Sequence, residues 1–222
     1  MILSKRFIFI KFLMIESSVV QEYIYWIVVA IPSILVAATV HEYAHAYTAF
    51  RLGDATTKAE GRLTLNPLKH IDPIGAICMI LFRFGWSKPV PINEYNFTKR
   101  ELHTAIVALA GPLSNLLLAF LTAIIFKILP DDTNGLIVFF LYSFATINIA
   151  LAVFNLIPIP PLDGHKIVRA ILPKQLRYYW ELLEKYSIIL ILLLVLPFSP
   201  LSKFVFSWIR NSLTYILQIL GF

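Results

Sequence analysis

The chain has 222 residues, 59% of them hydrophobic and 14% charged, with a mean hydropathy of +0.77. A soluble domain of this length cannot cover so much apolar surface with polar side chains, so the composition excludes one and specifies an integral membrane protein. The net charge of +6 has no soluble basic domain to present it; it fits topology signals and lipid contacts beside membrane spans, and not nucleic acid.

The N-terminus, MILSKRFIFIKFLMI, opens like a signal peptide. Lys11 interrupts its apolar stretch and no small-x-small cleavage site follows, so residues 1–18 read as a retained N-terminal segment. Tyr23–Val40 carries no charge and matches the roughly 20 helical residues that cross a bilayer core of about 30 Å. It runs directly into His41-Glu42-Tyr43-Ala44-His45.

Residues 51–100 form the one extended polar region. Within it Gly61–Asn66 alternates apolar and polar residues and ends in Asn-Pro, predicting a short strand and a turn. Ile71–Phe84 is charged only at Asp72 and Arg83, and its length suits a re-entrant or interfacial helix better than a crossing. The single cysteine, Cys78, lies in this segment and reads as an apolar packing residue. Trp86–Asn93 holds two prolines, which forbid a helix and leave an edge strand or polyproline geometry.

Three further uncharged runs follow: Thr104–Phe126, with a kink expected at Gly111-Pro112, then Gly135–Leu162 and Tyr186–Ser202. Phe204–Phe222 is a fifth apolar segment, interrupted by Arg210. The fold class is therefore an all-α polytopic membrane protein, with about five transmembrane helices, a re-entrant helix and short membrane-associated β-strands. The chain reads as one domain, with residues 51–100 as a re-entrant and β region and 178–222 as C-terminal transmembrane helices. Asn155-Leu-Ile-Pro-Ile-Pro-Pro-Leu-Asp163-Gly164 closes the third run. Its three prolines must unwind the helix, which a membrane tolerates only where the chain is buried in protein or lines a wet cavity.

On a helix His41 and His45 project from one face and can address one ion, with Glu42 beside them. Two imidazoles at this spacing suit zinc, and a neighbouring carboxylate can take a proton from water. Zinc lowers the pKa of a water to about 7 and polarises a carbonyl, the requirements of amide hydrolysis. The plainer reading, polar residues packed in a helix bundle, leaves three costly ionisable groups at the end of an apolar span without a purpose. Catalytic zinc usually takes three protein ligands. Asp163, just past the proline-rich break, is the best candidate for the third, with His70, His103 and His165 as competitors.

These residues, with Gly61-Arg-Leu-Thr-Leu-Asn-Pro-Leu-Lys-His-Ile-Asp-Pro-Ile-Gly75, Ala110-Gly-Pro-Leu-Ser-Asn115 and Asn155–Gly164, resemble the site-2 protease family of intramembrane zinc metalloproteases. The likeness runs from His41 to about Gly164 and fits the compact members, since no PDZ-sized insert separates the motifs. It implies that His41, His45 and Asp163 hold one zinc ion per chain and that Glu42 is the general base. It also implies single-span membrane proteins as substrates and places Asn155 on the substrate-orienting side. Asn148 and Asn115, amides in apolar spans, are further candidates for substrate positioning, with interhelical hydrogen bonding as the alternative. The resemblance also favours Trp86–Asn93 as an edge on which an unwound substrate adds as a strand.

His41–His45 and Asp163 can meet only if the first and third spans run parallel and residues 51–100 leave and return on one face. Of the 19 Lys and Arg residues, Lys5, Arg6, Lys11, Lys127 and Lys203 then lie on the opposite face, Arg210 lies in the last segment, and the rest lie on the active-site side. The positive-inside rule turns that side to the cytoplasm of a multi-pass cell-membrane protein, although the basic N-terminus runs against the count. A metal transporter would also place His and Asp in the bilayer, but it has no use for Glu42 as a base.

Overall fold

Small residues recur along the inward faces of the three long helices, and this is what lets their backbones approach closely. A computed structural model describes residues 23–82, 85–196 and 199–222, so the N-terminal segment 1–18 lies outside the described residues. Apart from the single turn Thr56–Ala59, the α-helices among the described residues are α1 (Tyr23–Arg51), α2 (Pro73–Phe82), α3 (Arg100–Ile128), α4 (Gly135–Asn155), α5 (Asp163–Ile171), α6 (Lys174–Leu182), α7 (Ser187–Val195) and α8 (Pro200–Leu220). Of these, α1, α3 and α4 are long and apolar enough to cross a membrane. Helix α1 does not stop at Val40: it continues through HEYAH to Arg51, so the motif is helical as its spacing requires. One π turn, Trp26–Ala30, interrupts α1 just ahead of Pro32.

The buried stripe of α1 includes Ala30, Ser33, Ala37, His41, His45 and Ala49. Facing it, the buried residues of α3 include Thr104, Ala108, Gly111, Asn115, Ala119 and Thr122. Both stripes step by three or four residues, the helical repeat, so the polar site residues continue the packing seam. Helix α3 runs on through Gly111-Pro112 to Ile128. Ala145, Ile149 and Val153 of α4 pack with Ala119 and with Leu217 of α8 in the main apolar cluster.

The orientation demanded by the sequence is met. Tyr25, near the start of α1, packs on Phe139, near the start of α4, with ring centroids 5.1 Å apart. At the other ends His41 of α1 lies 3.1 Å from Asp163, beyond the end of α4. Thus α1 and α4 run parallel. Helix α3 runs against them, since its early residue Val107 meets His45 and its later residue Asn115 meets Ala37.

Residues 71–87 leave and return at one point, where Ile71 and Ser87 form an isolated antiparallel bridge. Between them Asp72 Oδ1 accepts from Gly75 N–H and starts α2, ten residues and so about 15 Å long, half a bilayer core. Trp26 Nε1 donates to the Met79 carbonyl at 3.2 Å, which ties α2 to the end of α1 remote from HEYAH.

Two expectations are corrected. The predicted strands at 61–66 and in 86–93 are absent among the described residues, where the single bridge is the sole pairing. At 61–66 the polar residues instead make local turns: Thr64 Oγ1 accepts from Asn66 N–H, and Asn66 Oδ1 accepts from Leu68 N–H. In 86–93 Pro89 and Pro91 have no N–H to give a ladder. The run Tyr186–Ser202 does not form one spanning helix either. Its helix α7 ends after nine residues, and Pro200 opens α8. Helix α8 has 21 residues but carries Lys203 and Arg210, and it does not join the three apolar spans.

Candidate metal centre

His41, Glu42 and His45 are each 7% exposed or less, and Asp163, the first residue of α5, is 8% exposed. The unwound chain after Asn155, which includes a cis Pro160-Pro161 peptide, carries Asp163 back over the end of α1. Its Oδ2 lies 3.1 Å from His41 Nε2 and 3.3 Å from His45 Nε2, and the two Nε2 atoms are 3.0 Å apart. His45 Nδ1 faces the Val107 carbonyl at 2.7 Å. That carbonyl can only accept, so Nδ1 bears a proton, and in the neutral ring the lone pair falls on Nε2.

Donor atoms about 2.0–2.1 Å from a tetrahedral zinc lie about 3.3 Å from one another, so the three separations fit one such ion. Among the described residues, these three form the group of His, Cys, Asp or Glu side chains able to hold a metal. His70 instead pairs with the Thr64 carbonyl at 2.8 Å, and His103 stacks edge-on to Phe97. His165 lies flat on Trp180 with ring centroids 5.1 Å apart, and Trp180 Nε1 donates to the His165 carbonyl. None of these competitors joins the cluster.

Two glycines allow the close approach. A Cβ on Gly111 would lie 2.5 Å from His45 Nε2 and 2.6 Å from His41 Nε2, so the bare α3 backbone passes against both imidazoles. A Cβ on Gly164 would strike the Leu156 and Ile157 carbonyls, against which α5 starts.

Both Glu42 oxygens are engaged from 45 and more residues away. Ser87 Oγ donates to Oε1 at 2.8 Å and Val90 N–H to Oε2 at 3.0 Å. Arg62 Nη2 holds this strap by donating to the Lys88 and Pro89 carbonyls. Farther along, Asp54 accepts from Asn93 N–H at 2.8 Å and from Asn96 Nδ2 at 2.7 Å. Among the described residues, 88–92 therefore keep one uncommitted amide, that of Ile92, together with the carbonyls of Val90, Pro91 and Ile92.

Beside the cluster opens a cavity of ≈ 260 Å³. Val90, Ile92, Glu94, Thr104, Asn155 and Lys166 line it with the four motif residues. Asn155 Nδ2 donates to the Leu151 carbonyl at 2.9 Å and keeps its Oδ1 uncommitted among the described residues. Asn115 and Asn148 are wholly buried and do not line the cavity. Their hydrogen bonds lie within the bundle, with Asn115 Oδ1 2.7 Å from His41 Nδ1, so the expectation that they face substrate does not match their position.

Charges outside the spans lock the rim. Arg169 Nη2 donates to Glu94 Oε2 at 2.6 Å, and its Nε lies 3.2 Å from Glu101 Oε2. Burial alone would lower the Arg169 pKa, but Glu94, Glu101 and Glu181 outweigh it and hold it above its ordinary value. Burial lowers His165, against the Trp180 carbonyl and Glu184, which act to raise it. Ser87, Glu94, Thr104, Lys166 and Arg169 carry no motif, and sequence reading passes over them.

Comparison with known proteins accords with this geometry. The family model described as Peptidase family M50 matches residues 130–197. YwhC of Bacillus subtilis is 40% identical over 181 residues, covering 78% of this chain and 81% of YwhC. Rip2 of Mycolicibacterium smegmatis is 33% identical over 65% of this chain and 57% of its own length. Zinc metalloprotease MJ0392 of Methanocaldococcus jannaschii is 30% identical over 78% of this chain and 42% of its own length. No solved structure matches the chain. On the extent of its likeness to YwhC, the chain belongs to peptidase family M50, the site-2 protease family.

Proposed function

We propose that the chain is an intramembrane zinc metalloendopeptidase that hydrolyses peptide bonds within or next to transmembrane segments of single-span membrane proteins. The observation that carries this reading is the meeting of His41, His45 and Asp163 beside Glu42, on a helix apolar enough to cross a bilayer. Zinc is named for MJ0392 and fits the donor set here. In this reading His41, His45 and Asp163 hold one zinc, which when bound polarises the scissile carbonyl and makes a neighbouring water more acidic.

Glu42 takes the proton of the attacking water and delivers it to the leaving amine. Ser87 and Val90 fix the direction of its carboxylate, so the base is oriented before substrate arrives. Asn155, at the cavity wall, orients the substrate amide. The substrate must unwind locally, because a helix keeps its amide bonds from a nucleophile. Residues 1–222 act as one domain, in which α2 is re-entrant and α7 and α8 pack beside the three apolar spans. The active site opens to the cytoplasmic side, where most of the Lys and Arg lie.

The test is Glu42→Gln in the full chain, reconstituted in lipid vesicles with a single-span test protein. The expected result is one zinc per chain with no cleavage. Cleavage at the unaltered rate would remove Glu42 from the chemistry, and an unaltered chain that binds no zinc would refute the reading as a whole.

A further inference from the structure

We propose that Asn115 and Asn148 form a polar chain that fixes the tautomer and direction of His41 at the metal centre. Asn115 is thus a positioning residue for the metal, and Asn148 acts through it. This inference rests on the reading of His41 as a zinc ligand.

The directions of the hydrogen bonds are set by two backbone carbonyls. Asn148 lies within 2.9 Å of the Phe144 carbonyl, which can only accept, so the amide nitrogen of Asn148 faces it. Its Oδ1 must then point the other way, to the Asn115 amide at 3.0 Å. The second anchor is the Ala37 carbonyl, to which Asn115 Nδ2 also donates at 3.0 Å. With both amide hydrogens committed, Asn115 presents only its Oδ1 to His41 Nδ1, at 2.7 Å. His41 must carry its proton on Nδ1, and the lone pair falls on Nε2, the atom that faces Asp163 and His45. The opposite tautomer would set two lone pairs against each other at Asn115.

Both asparagines are 0% exposed, so bulk water does not compete for these bonds. A ligating histidine usually donates its second N–H to a carboxylate, carbonyl or water. His45 follows that pattern through the Val107 carbonyl. His41 has no carbonyl in that position, and two side chains from α3 and α4 supply one. The three helices that must assemble to make the site are therefore joined by the bonds that prepare its first ligand.

The experiment uses the full chain purified in detergent and stripped of metal. Zinc affinity is measured by competition with a chromophoric chelator, and the visible spectrum is recorded with cobalt. Asn115→Leu should lower zinc affinity about 10–100-fold. Asn115→Asp loses the same amide donors but keeps an oxygen toward Nδ1, and should stay within about threefold of the unaltered chain. Asn148→Leu should weaken zinc by a smaller factor, and adding it to Asn115→Leu should cost nothing further, because it acts through Asn115.

Equal losses for Asn115→Leu and Asn115→Asp would show a merely structural role and overturn the proposal. Unchanged affinity in Asn115→Leu would also overturn it. Should Asn115→Leu fail to fold, Asn148→Leu decides, and zinc binding indistinguishable from the unaltered chain would sink the relay. His41→Ala separates the two readings. If it loses zinc while Asn115→Leu does not, only the positioning claim fails; if it keeps zinc, the ligand assignment itself fails.

Discussion

Adding one methyl group at Gly111 should remove the metal while leaving the helix that bears it intact. The new Cβ would lie 2.5 Å from His45 Nε2 and 2.6 Å from both Nε2 and Cε1 of His41. Nonbonded heavy atoms settle near 3.5 Å, so both rings must retreat by about 1 Å. Metal–ligand distances tolerate about 0.2 Å, so that retreat exceeds what one ion can bridge. Zinc affinity should fall at least about 100-fold, or about 2.8 kcal/mol at 1.4 kcal/mol per factor of ten. The backbone effect is small, since the gain of alanine over glycine in a helix interior, about 0.5–1 kcal/mol, is opposed at this position by contact of the new Cβ with the ring of Pro112, and the helix has 29 residues. The Gly111→Ala chain should therefore keep its far-ultraviolet helical signal and lose its zinc, measured by metal content after purification and by chelator competition. A Gly111→Ala protein with full zinc affinity would mean that α3 does not pass against the two imidazoles, and the arrangement of α1 and α3 would have to be redrawn.

Arg169→Met leaves Glu94 and Glu101 without their buried cation. Because both keep some contact with water, the loss should fall near the lower end of the range for a broken buried pair, about 3 kcal/mol, read as a lower midpoint of thermal unfolding in detergent. Asp54 gives a pH dependence. Burial raises its pKa, but hydrogen bonds from Thr56, Asn96 and Asn93 outweigh this and hold it below the ordinary value. Its contribution is then complete above the unfolded value of about 4 and fades as pH falls through the lower folded value. Unfolding midpoints followed from pH 7 to 3 should fall less steeply in Asp54→Asn than in the unaltered chain, and parallel curves would refute this role.

The sequence carried the cluster of His41, Glu42, His45 and Asp163 because its signals are either local or costly. His41, Glu42 and His45 announce themselves by helical spacing within an apolar run, and Asp163 by prolines that no buried helix accepts without cause. The parallel course of α1 and α4 followed from requiring these two places to meet. Contacts that depend on chain return were not legible. Ser87 and Val90 reach Glu42 across 45 and 48 residues, and nothing in Trp86–Asn93 marks them as donors. Arg169 read as one more topology charge, whereas packing of α5 against the 94–101 region makes it the hub of three carboxylates. The strand expected at Gly61–Asn66 failed because alternation specifies a strand only when a neighbour supplies the ladder. Thr64 and Asn66 satisfied the backbone locally instead. The asparagines were legible as buried amides but not in their direction, which depends on carbonyls of two other helices.

The parallel pairing of α1 and α4 also bears on how the protein is made. His41 and His45 emerge from the ribosome early, but the carboxylate that joins them is residue 163, so no nascent chain shorter than this holds the full donor set. Insertion of α3 in the opposite sense must come between. On the proposed function, the donor set of the protease is thereby kept incomplete during its own insertion, and metal capture becomes a readout of finished assembly.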